Sequence, residues 1–325
     1  MNRRRTLIAF SALGTTRFTA NAQPAPRIAR IGYLLFTSAS SQARYLDPLR
    51  SGLRDLGYVE GTHYRIEARY ADGDNDKLVS HAAELADLKP DVIVSYATGV
   101  LAVHKATKTI PIVMAANADP VTSGLAASLS RPSGNVTGST FFHAELMAKR
   151  LELLKQVVPS MTRAGVLLPS ENYAANQSAL KAMGDTASTL KVELHPIETR
   201  GPADYERAFS SWNEKKIQGL AISDHSQFIA NATVISALAG KIRLPLNGAL
   251  ELSTNGGLMA YGVNLPELYR RAAYFVDRIL KGAKPGDLPI EQATKFLLIL
   301  NRKTAMEMNI KFPLSVLLRA DQVIE

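Results

Sequence analysis

Three short apolar runs between residues 90 and 140 restrict the fold more than any other part of this 325-residue chain. Residues 91–95, 110–115 and 136–140 are rich in Val and Ile and too short for helices, so each is predicted to be a strand. Residues 99–108 have apolar side chains at helical spacing. A strand, a helix and a second strand in about twenty-five residues form a right-handed βαβ unit with parallel strands buried on both faces.

Polar residues follow two of these predicted strands. Thr98 follows the first strand, where we expect its hydroxyl to cap the next helix, and Asn117 and Asp119 follow the second. Ligands of parallel sheets collect at the carboxyl ends of strands, where helix N-termini offer unpaired N–H groups and a partial positive charge. The pattern predicts a binding cleft at this edge. For Asp119, which precedes a proline, capping of the next helix is the alternative interpretation.

The second half of the chain repeats this pattern. The run DVIVS at residues 91–95 is followed by a predicted helix and by IPI at residues 110–112. The run GLAIS at residues 219–223 is followed in the same way by a helix and by LPL at residues 244–246. Two similar α/β lobes explain the repeat, and the length suits two domains of roughly 120 to 150 residues.

Three further segments complete the outline. Residues 28–36 are predicted to be a strand, and the hydroxyls of the TSASS segment that follows can cap a helix or bind an anion. The acidic segment DGDND at residues 72–76 lacks the glycine offset and the final glutamate of a calcium loop, so we interpret it as a turn that caps a helix. Residues 258–300 are predicted to recross between the lobes and to form a hinge.

The net charge of +9 does not by itself indicate nucleic-acid binding. Four of the positive residues lie in the first 22 residues, and no basic run has interleaved aromatic residues, so we expect a solvated basic surface and no nucleic-acid partner. The absence of cysteine excludes disulfides, a thiol nucleophile and cysteine metal sites. No stretch after the N-terminus has about 18 uninterrupted apolar residues, as a membrane-spanning helix requires.

Residues 1–22 have the layout of a secretory signal peptide: a basic start, an apolar segment and a small-x-small end at Ala20-Asn21-Ala22. The consecutive arginines also allow export by the twin-arginine route, and a disordered cytoplasmic tail is a third interpretation. No cysteine follows the predicted cleavage site, which excludes a lipoprotein anchor. We therefore expect a mature protein that is free in the periplasm.

An enzyme is not expected. The six histidines are scattered singly, and the sequence contains no HExxH, GxSxG, GxxxxGK or GxGxxG motif. Ser223, Asp224 and His225 have the residue types of a hydrolytic triad, but adjacent residues cannot converge on one substrate atom. Repressors of the LacI type carry a two-lobed domain of this kind, but they need a helix-turn-helix ahead of it, and only 27 residues precede the first predicted strand.

From residue 27 to residue 324 the chain resembles the periplasmic substrate-binding proteins of ABC transporters, in the family that includes tryptophan- and tyrosine-binding members. The segments that carry the resemblance are GLRDLGYVEG (52–61), KPDVIV (89–94), ATKTIPIVM (106–114), DPVTSGLAASLSRPSGNVTG (119–138) and KRLELLKQVVP (149–159).

This resemblance implies the α/β fold of type I periplasmic binding proteins: two Rossmann-like lobes with parallel sheets, joined by a three-strand hinge. We expect lobe 1 to comprise residues 27–140 and about 264–284. Lobe 2 is expected to comprise residues 141–255 and about 286–325. One small ligand would lie between the lobes.

The resemblance also implies the site. In amino-acid-binding members of the family, hydroxyls after the first and third strands take the ligand carboxylate, and an Asp after the fourth takes the ammonium. The matching residues are Ser38, Ser40, Thr98 and Asp119. Asn172, Asp224 and Asn247 stand at the matching strand ends of the second lobe. For Asp224, as for Asp119, a purely structural role is the alternative.

The implied partners are a small-molecule ligand, expected to be an amino acid or a similar metabolite, and the permease and ATPase subunits of an ABC transporter. We expect a monomer without a cofactor or a metal ion. A sensory subunit that presents its ligand to a receptor is the alternative to transport, and the sequence does not separate the two.

Overall fold

The computed structural model describes residues 27–170 and 173–325. The predicted signal peptide and the predicted site residue Asn172 lie outside the described residues. The described chain forms two sheets of mostly parallel strands, and buried apolar clusters lie on both faces of each sheet. This arrangement confirms the predicted α/β fold class.

The N-terminal part of the chain alternates strands and helices. Its elements are β1 (Ala29–Leu35), α1 (Gln42–Asp55), β2 (Tyr64–Tyr70), α2 (Asn75–Asp87), β3 (Val92–Ser95), α3 (Thr98–Ala106), β4 (Ile112–Asn117) and β5 (Val136–Thr140). Every residue of β3, β4 and β5 is buried. Strands of a parallel sheet are covered on both faces, which explains why these segments are continuously apolar or small instead of alternating.

Two predicted helix starts have different outcomes. The Asp74 carboxylate accepts hydrogen bonds from the backbone N–H groups of Asp76 and Lys77, at 2.8 and 3.0 Å, so the DGDND segment caps α2 as predicted. The predicted cap at Thr98 is wrong. Helix α3 begins one residue earlier than expected, with Ala97 at φ +44° as the residue before it, so the Thr98 hydroxyl is no longer at the capping position.

The second part of the chain repeats the alternation. Its elements are α4 (His143–Val157), β6 (Arg163–Pro169), α5 (Tyr173–Leu190), β7 (Glu193–Thr199), α6 (Tyr205–Glu214), β8 (Gly219–Ile222), α7 (Ser226–Ala230), α8 (Ala232–Lys241), β9 (Leu246–Gly248) and α9 (Leu250–Thr254). Helix α4 buries one apolar side that includes Met147, Leu151 and Leu154, as its spacing predicts. Arg150 is buried on the same helix.

The remaining elements are β10 (Met259–Val263), α10 (Leu265–Leu280), β11 (Glu291–Gln292), β12 (Phe296–Asn301), α11 (Arg302–Glu307), α12 (Leu314–Leu317) and β13 (Gln322–Ile324). The sequence predicts a last helix that ends before Pro313 and nothing beyond it. In the structure α12 and β13 follow, and β13 pairs with β12 at the edge of the second sheet. Elements of three or four residues are too short to produce a periodic signal.

The two sheets share one strand order. Lobe 1 contains the six-stranded sheet β11-β5-β4-β3-β1-β2, and lobe 2 contains the seven-stranded sheet β13-β12-β10-β9-β8-β6-β7. Without the added edge strands, both have the 2-1-3-4-5 order of doubly wound folds, so the internal repeat is confirmed. The strand order of such a sheet reverses beside its first strand, which leaves a crevice between the first and third strands.

The chain crosses between the lobes three times: after β5, after β10 and after β11. Helix α10 packs into the core of lobe 1. Glu291 and Gln292 pair with Ser139 and Thr140 of β5. The chain therefore stays in lobe 1 as far as residue 292, instead of returning near residue 286 as the sequence predicts. A two-residue strand carries no pattern that could have shown this.

None of the helices in residues 27–170 and 173–325 combines the length and the apolar character needed to cross a membrane.

Candidate functional site

A narrow cavity lies between the two lobes at the carboxyl ends of their strands. Its volume is about 50 Å³. Lobe 1 contributes the start of α3 and the loop after β4, and lobe 2 contributes the start of α5 and the loop after β8. Three predicted site residues, Thr98, Asp119 and Asp224, line this one cavity. The structure therefore brings together residues that stand up to 126 positions apart, since 224 − 98 = 126.

Several buried polar atoms in this region have no hydrogen-bond partner within the described protein. They include Thr98 Oγ1 and Tyr96 Oη of lobe 1 and His143 Nδ1 of lobe 2. Leaving a buried polar group unpaired costs about 1 to 3 kcal/mol, so folded proteins retain few of them. Here they come from both lobes and converge on the interlobe region. This convergence indicates groups available to a ligand.

Asp224 is held by a buried arginine. Arg150 of α4 is fully buried, and its NH1 atom lies 2.6 Å from Asp224 Oδ2. The same guanidinium donates to the carbonyl oxygens of Ile222 at 2.6 Å and Tyr261 at 2.8 Å. The Arg150–Asp224 contact is close but is not aligned as a hydrogen bond, so Asp224 Oδ2 and Arg150 NH2 both keep unused hydrogen-bonding capacity. The pair fixes a carboxylate at the end of β8.

Asp119 caps the turn after β4 and also lines the interlobe cavity. Its Oδ1 atom accepts hydrogen bonds from the backbone N–H groups of Val121 at 3.1 Å and Thr122 at 3.0 Å. These bonds cap the turn after β4, which is the structural interpretation. Both end on Oδ1, and the residue also lines the interlobe cavity. A role in binding is therefore compatible with the cap.

Ser38 and Ser40 lie elsewhere in the cleft. They line a second cavity of about 420 Å³ between α1 of lobe 1 and α8 and α9 of lobe 2. Their hydroxyls contact each other at 2.5 Å. Tyr45 and Tyr96 line a small apolar space that also touches Thr37, so aromatic rings stand close to both cavities. The structure does not bring the two serines together with Thr98 and Asp119.

Asn247 is fully buried in the middle of β9, and among the described residues it lines neither of the two cavities. Its amide donates to the carbonyl oxygen of Arg150 at 3.2 Å, and its Oδ1 atom has no partner within the described protein. Asn247 thus contacts the helix that carries the arginine. Asn172 lies outside the described residues, so its place at the end of β6 stays a prediction from the sequence.

Two buried histidines border the cleft. Burial lowers the pKa of His143 to about 4, although the nearby Asp224 carboxylate opposes this effect. Burial also lowers the pKa of His225 to about 3, and His143 adds to the shift. Both side chains are therefore neutral near pH 7. The neutral ring of His225 accepts a hydrogen bond from the N–H of Gln227 at 3.4 Å and so caps α7.

Sequence reasoning missed Tyr96, Arg150 and His143. Tyr96 directly follows a predicted strand, the same placement that identified Thr98, so the sequence does contain a signal for it. Arg150 is three residues after Met147 and four before Leu154, so a charge falls on the apolar side of α4. A charged residue at such a position needs a buried partner, which is a signal that the sequence does contain.

The fold and the site together define a two-lobed protein that encloses a small ligand. The model of the family described as ABC transporter substrate binding protein matches residues 30–324, and the chain belongs to this family. The tyrosine-binding protein of Clostridioides difficile strain R20291 is 28% identical over 265 residues, which cover 80% of this chain and 76% of that protein.

Solved structures have the same fold. A domain from Streptococcus pneumoniae in complex with L-Trp is 24% identical with a TM-score of 0.84, covering 92% of this chain and all of that one. A conserved domain protein from Vibrio cholerae is 26% identical, also with a TM-score of 0.84, covering 91% of this chain and all of that one. A ligand-free, open substrate-binding protein from Clostridium difficile, 23% identical, has a TM-score of 0.65, with 91% and 99% covered.

We predict that Arg150→Met destabilises the protein by about 3 to 5 kcal/mol, because it leaves the Asp224 carboxylate buried without its partner. The double variant Arg150→Met/Asp224→Asn should recover part of this loss, because the uncompensated charge is removed as well. Urea denaturation of the wild type, both single variants and the double variant measures the coupling free energy. Strictly additive losses would contradict the assigned pair.

We also predict that the protein loses stability as the pH falls from 6.5 to 4.5. The native pKa values of His143 and His225, about 4 and about 3, lie below the unfolded value of 6.5, so the unfolded state binds protons first. Each histidine should account for roughly 2 to 3 kcal/mol over this window. His225→Asn keeps an acceptor for the N–H of Gln227 and should reduce the difference between urea midpoints at pH 7.5 and 4.5. Equal differences in wild type and variant would rule out this role.

Proposed function

We propose that this protein captures an aromatic amino acid in its interlobe cleft and delivers it to the permease and ATPase of an ABC transporter. The observation that supports the proposal most directly is that buried polar atoms of both lobes lack a partner within the described protein, among them Thr98 Oγ1 of lobe 1 and His143 Nδ1 of lobe 2, which line adjoining cavities. Such groups can pair with a ligand only when both lobes surround it. Closure around the ligand is then favourable because the ligand bonds to groups of both lobes at once.

The charges around the smaller cavity suit a zwitterion. The N-terminus of α3 has a partial positive charge and carries the Thr98 hydroxyl, and the two together favour a carboxylate. Asp119 and Asp224 stand on the same cavity and are suited to an ammonium group. A few charge-assisted hydrogen bonds and one buried side chain can supply the ~8 kcal/mol of micromolar binding.

An adjoining cavity has room for the side chain of the ligand. It measures about 210 Å³ and shares Ala118, Asp119 and Ala175 with the smaller cavity. Phe141 and Phe142 line it, and aromatic rings favour edge-to-face or offset contact with another aromatic group. The relatives that bind L-Trp and tyrosine support the same ligand class.

The other predicted site residues lie away from the smaller cavity or outside the described residues. Ser38 and Ser40 would contact the ligand only if the ligand reaches into the second cavity. Asn172 would complete the lobe 2 side at the end of β6. Asn247, through its bond to the Arg150 carbonyl, would act by positioning α4.

The proposed location is the periplasm, reached through the signal peptide at residues 1–22. Transport requires docking on a permease, whereas the sensory alternative requires docking on a receptor. Co-purification of the mature protein with a multi-span permease and its ATPase in the presence of ligand supports transport. Recovery of a receptor instead supports the sensory alternative.

We predict that mature protein, unfolded and refolded to remove bound metabolites, binds L-tryptophan or L-tyrosine with micromolar affinity and binds L-leucine at least tenfold more weakly. Asp119→Ala should weaken binding at least tenfold, since one acceptor of the ammonium group is lost. Isothermal titration calorimetry measures both effects. No heat with any amino acid would contradict the proposed function.

The matched control for Asp119→Ala is Asp74→Ala. Asp74 caps α2 by accepting two backbone N–H bonds, as Asp119 does after β4, but it lies outside the cleft cavities described above. Loss of such a cap costs about 1 kcal/mol of stability. Asp74→Ala should lower the melting temperature without changing affinity. Unchanged affinity in Asp119→Ala would refute the role of Asp119.

A further inference from the structure

Glu251 joins the two lobes directly. It lies in α9 of lobe 2, and its Oε1 atom accepts a hydrogen bond from Tyr45 Oη in α1 of lobe 1 at 2.9 Å. The guanidinium of Arg44, also in α1, stands 3.1 Å from the same oxygen. One carboxylate oxygen of lobe 2 thus contacts the side chains of two consecutive residues of a lobe 1 helix. These residues are more than 200 positions away in sequence.

The burial of this contact distinguishes it from an ordinary surface ion pair. The Glu251 side chain is 8% exposed, whereas that of Arg44 is 38% exposed. Tyr45 is buried as well, and burial together with the Glu251 carboxylate raises its pKa, so the phenol keeps its proton for the hydrogen bond. Exposed pairs contribute little, but hydrogen bonds to a buried charge are stronger because water does not compete for them.

Glu251 does not line the cavity assigned to the charged groups of the ligand. It lines the larger cavity between α1, α8 and α9, whereas Thr98, Asp119 and Asp224 line the smaller one. Substitutions of Glu251 or Tyr45 therefore leave the contacts proposed for Thr98, Asp119 and Asp224 in place. An effect on binding would have to pass through the arrangement of the lobes.

We propose that Glu251 is a positioning residue, a latch that holds lobe 2 against α1 of lobe 1 in the closed arrangement and thereby sets how long the ligand stays bound. The effect on ligand residence rests on the proposed function, but the effect on lobe arrangement does not. A contact that exists only when the lobes are closed increases the closed population. The apparent dissociation constant falls in proportion to that population.

The proposed latch should affect the rate of ligand dissociation and not the rate of association. The latch opposes opening of the closed lobes with or without a ligand between them, so its loss should accelerate ligand dissociation and leave association nearly unchanged. A substitution that only weakens the fold would lower the melting temperature without this division between the two rates.

The chain supplies a matched control within one lobe. Tyr58 Oη donates to Asp277 Oδ1 at 2.9 Å, and Asp277 also pairs with Lys281 at 2.7 Å. This is the same chemistry, a tyrosine and a cation on one buried carboxylate, but all three residues belong to lobe 1. Tyr58→Phe and Tyr45→Phe each remove one hydroxyl and keep the ring. The Tyr45 bond crosses between the lobes and is the more deeply buried of the two, whereas the Tyr58 bond stays within lobe 1.

The experiment measures lobe separation without any ligand. The sequence has no cysteine, so Val79→Cys in α2 and Val234→Cys in α8, both exposed, allow one spin label to be placed on each lobe. Double electron–electron resonance then gives the distance distribution in this background and in Tyr45→Phe, Glu251→Gln and Tyr58→Phe. We expect the two latch variants to shift toward longer distances, and Tyr58→Phe to match the background.

Stopped-flow fluorescence with L-tryptophan and L-tyrosine supplies the second readout. We expect about tenfold faster dissociation in Tyr45→Phe and Glu251→Gln, with association changed less than twofold, and no change in Tyr58→Phe. Identical distance distributions together with unchanged dissociation rates would overturn the latch. If neither amino acid binds, the proposed function fails, and the distance distributions alone decide whether the latch stands.

Discussion

The structure depends on one constraint: each sheet is covered on both faces, so polar groups that serve a ligand can lie only where strands end. Parallel strands bring these ends to one edge of the sheet, and the 2-1-3-4-5 order opens a crevice beside the first strand. Because the two lobes share this order, they offer two such edges. The hinge places them face to face, and the interlobe cavity follows from that placement.

The Asp224 carboxylate in this cleft is stabilised by a buried partner and not by contact with water. Asp224 can remain a carboxylate in the interior because Arg150 is buried beside it and is itself held by two backbone carbonyl oxygens. Those carbonyls belong to the end of β8 and to β10, so the arginine ties helix α4 to the sheet at the point where the acidic group is needed. Removing one ion of such a pair destabilises a protein far more than replacing both ions by apolar residues of similar volume.

The two lobes meet through contacts of different kinds. At the smaller cavity and the one adjoining it, Thr98 Oγ1 of lobe 1 and His143 Nδ1 of lobe 2 have no partner among the described residues, so a ligand can supply hydrogen bonds to them. At the larger cavity Glu251 already has partners across the gap in Tyr45 and Arg44. Under the proposed function the first kind of contact favours closure around a ligand, and under the proposed latch the second stabilises the closed arrangement.

The sequence by itself determined the α/β class, the two-lobe repeat, the main strands and helices, and three residues that share one cavity: Thr98, Asp119 and Asp224. Those features depend on local periodicity and on the rule that ligands meet parallel strands at their carboxyl ends, both of which can be read along the chain. Tertiary structure alone decided that Ser38 and Ser40 face a different cavity, that Thr98 does not cap α3, and that Glu251 reaches Tyr45. These outcomes depend on how two distant surfaces approach each other, and no spacing along one chain encodes the distance between lobes.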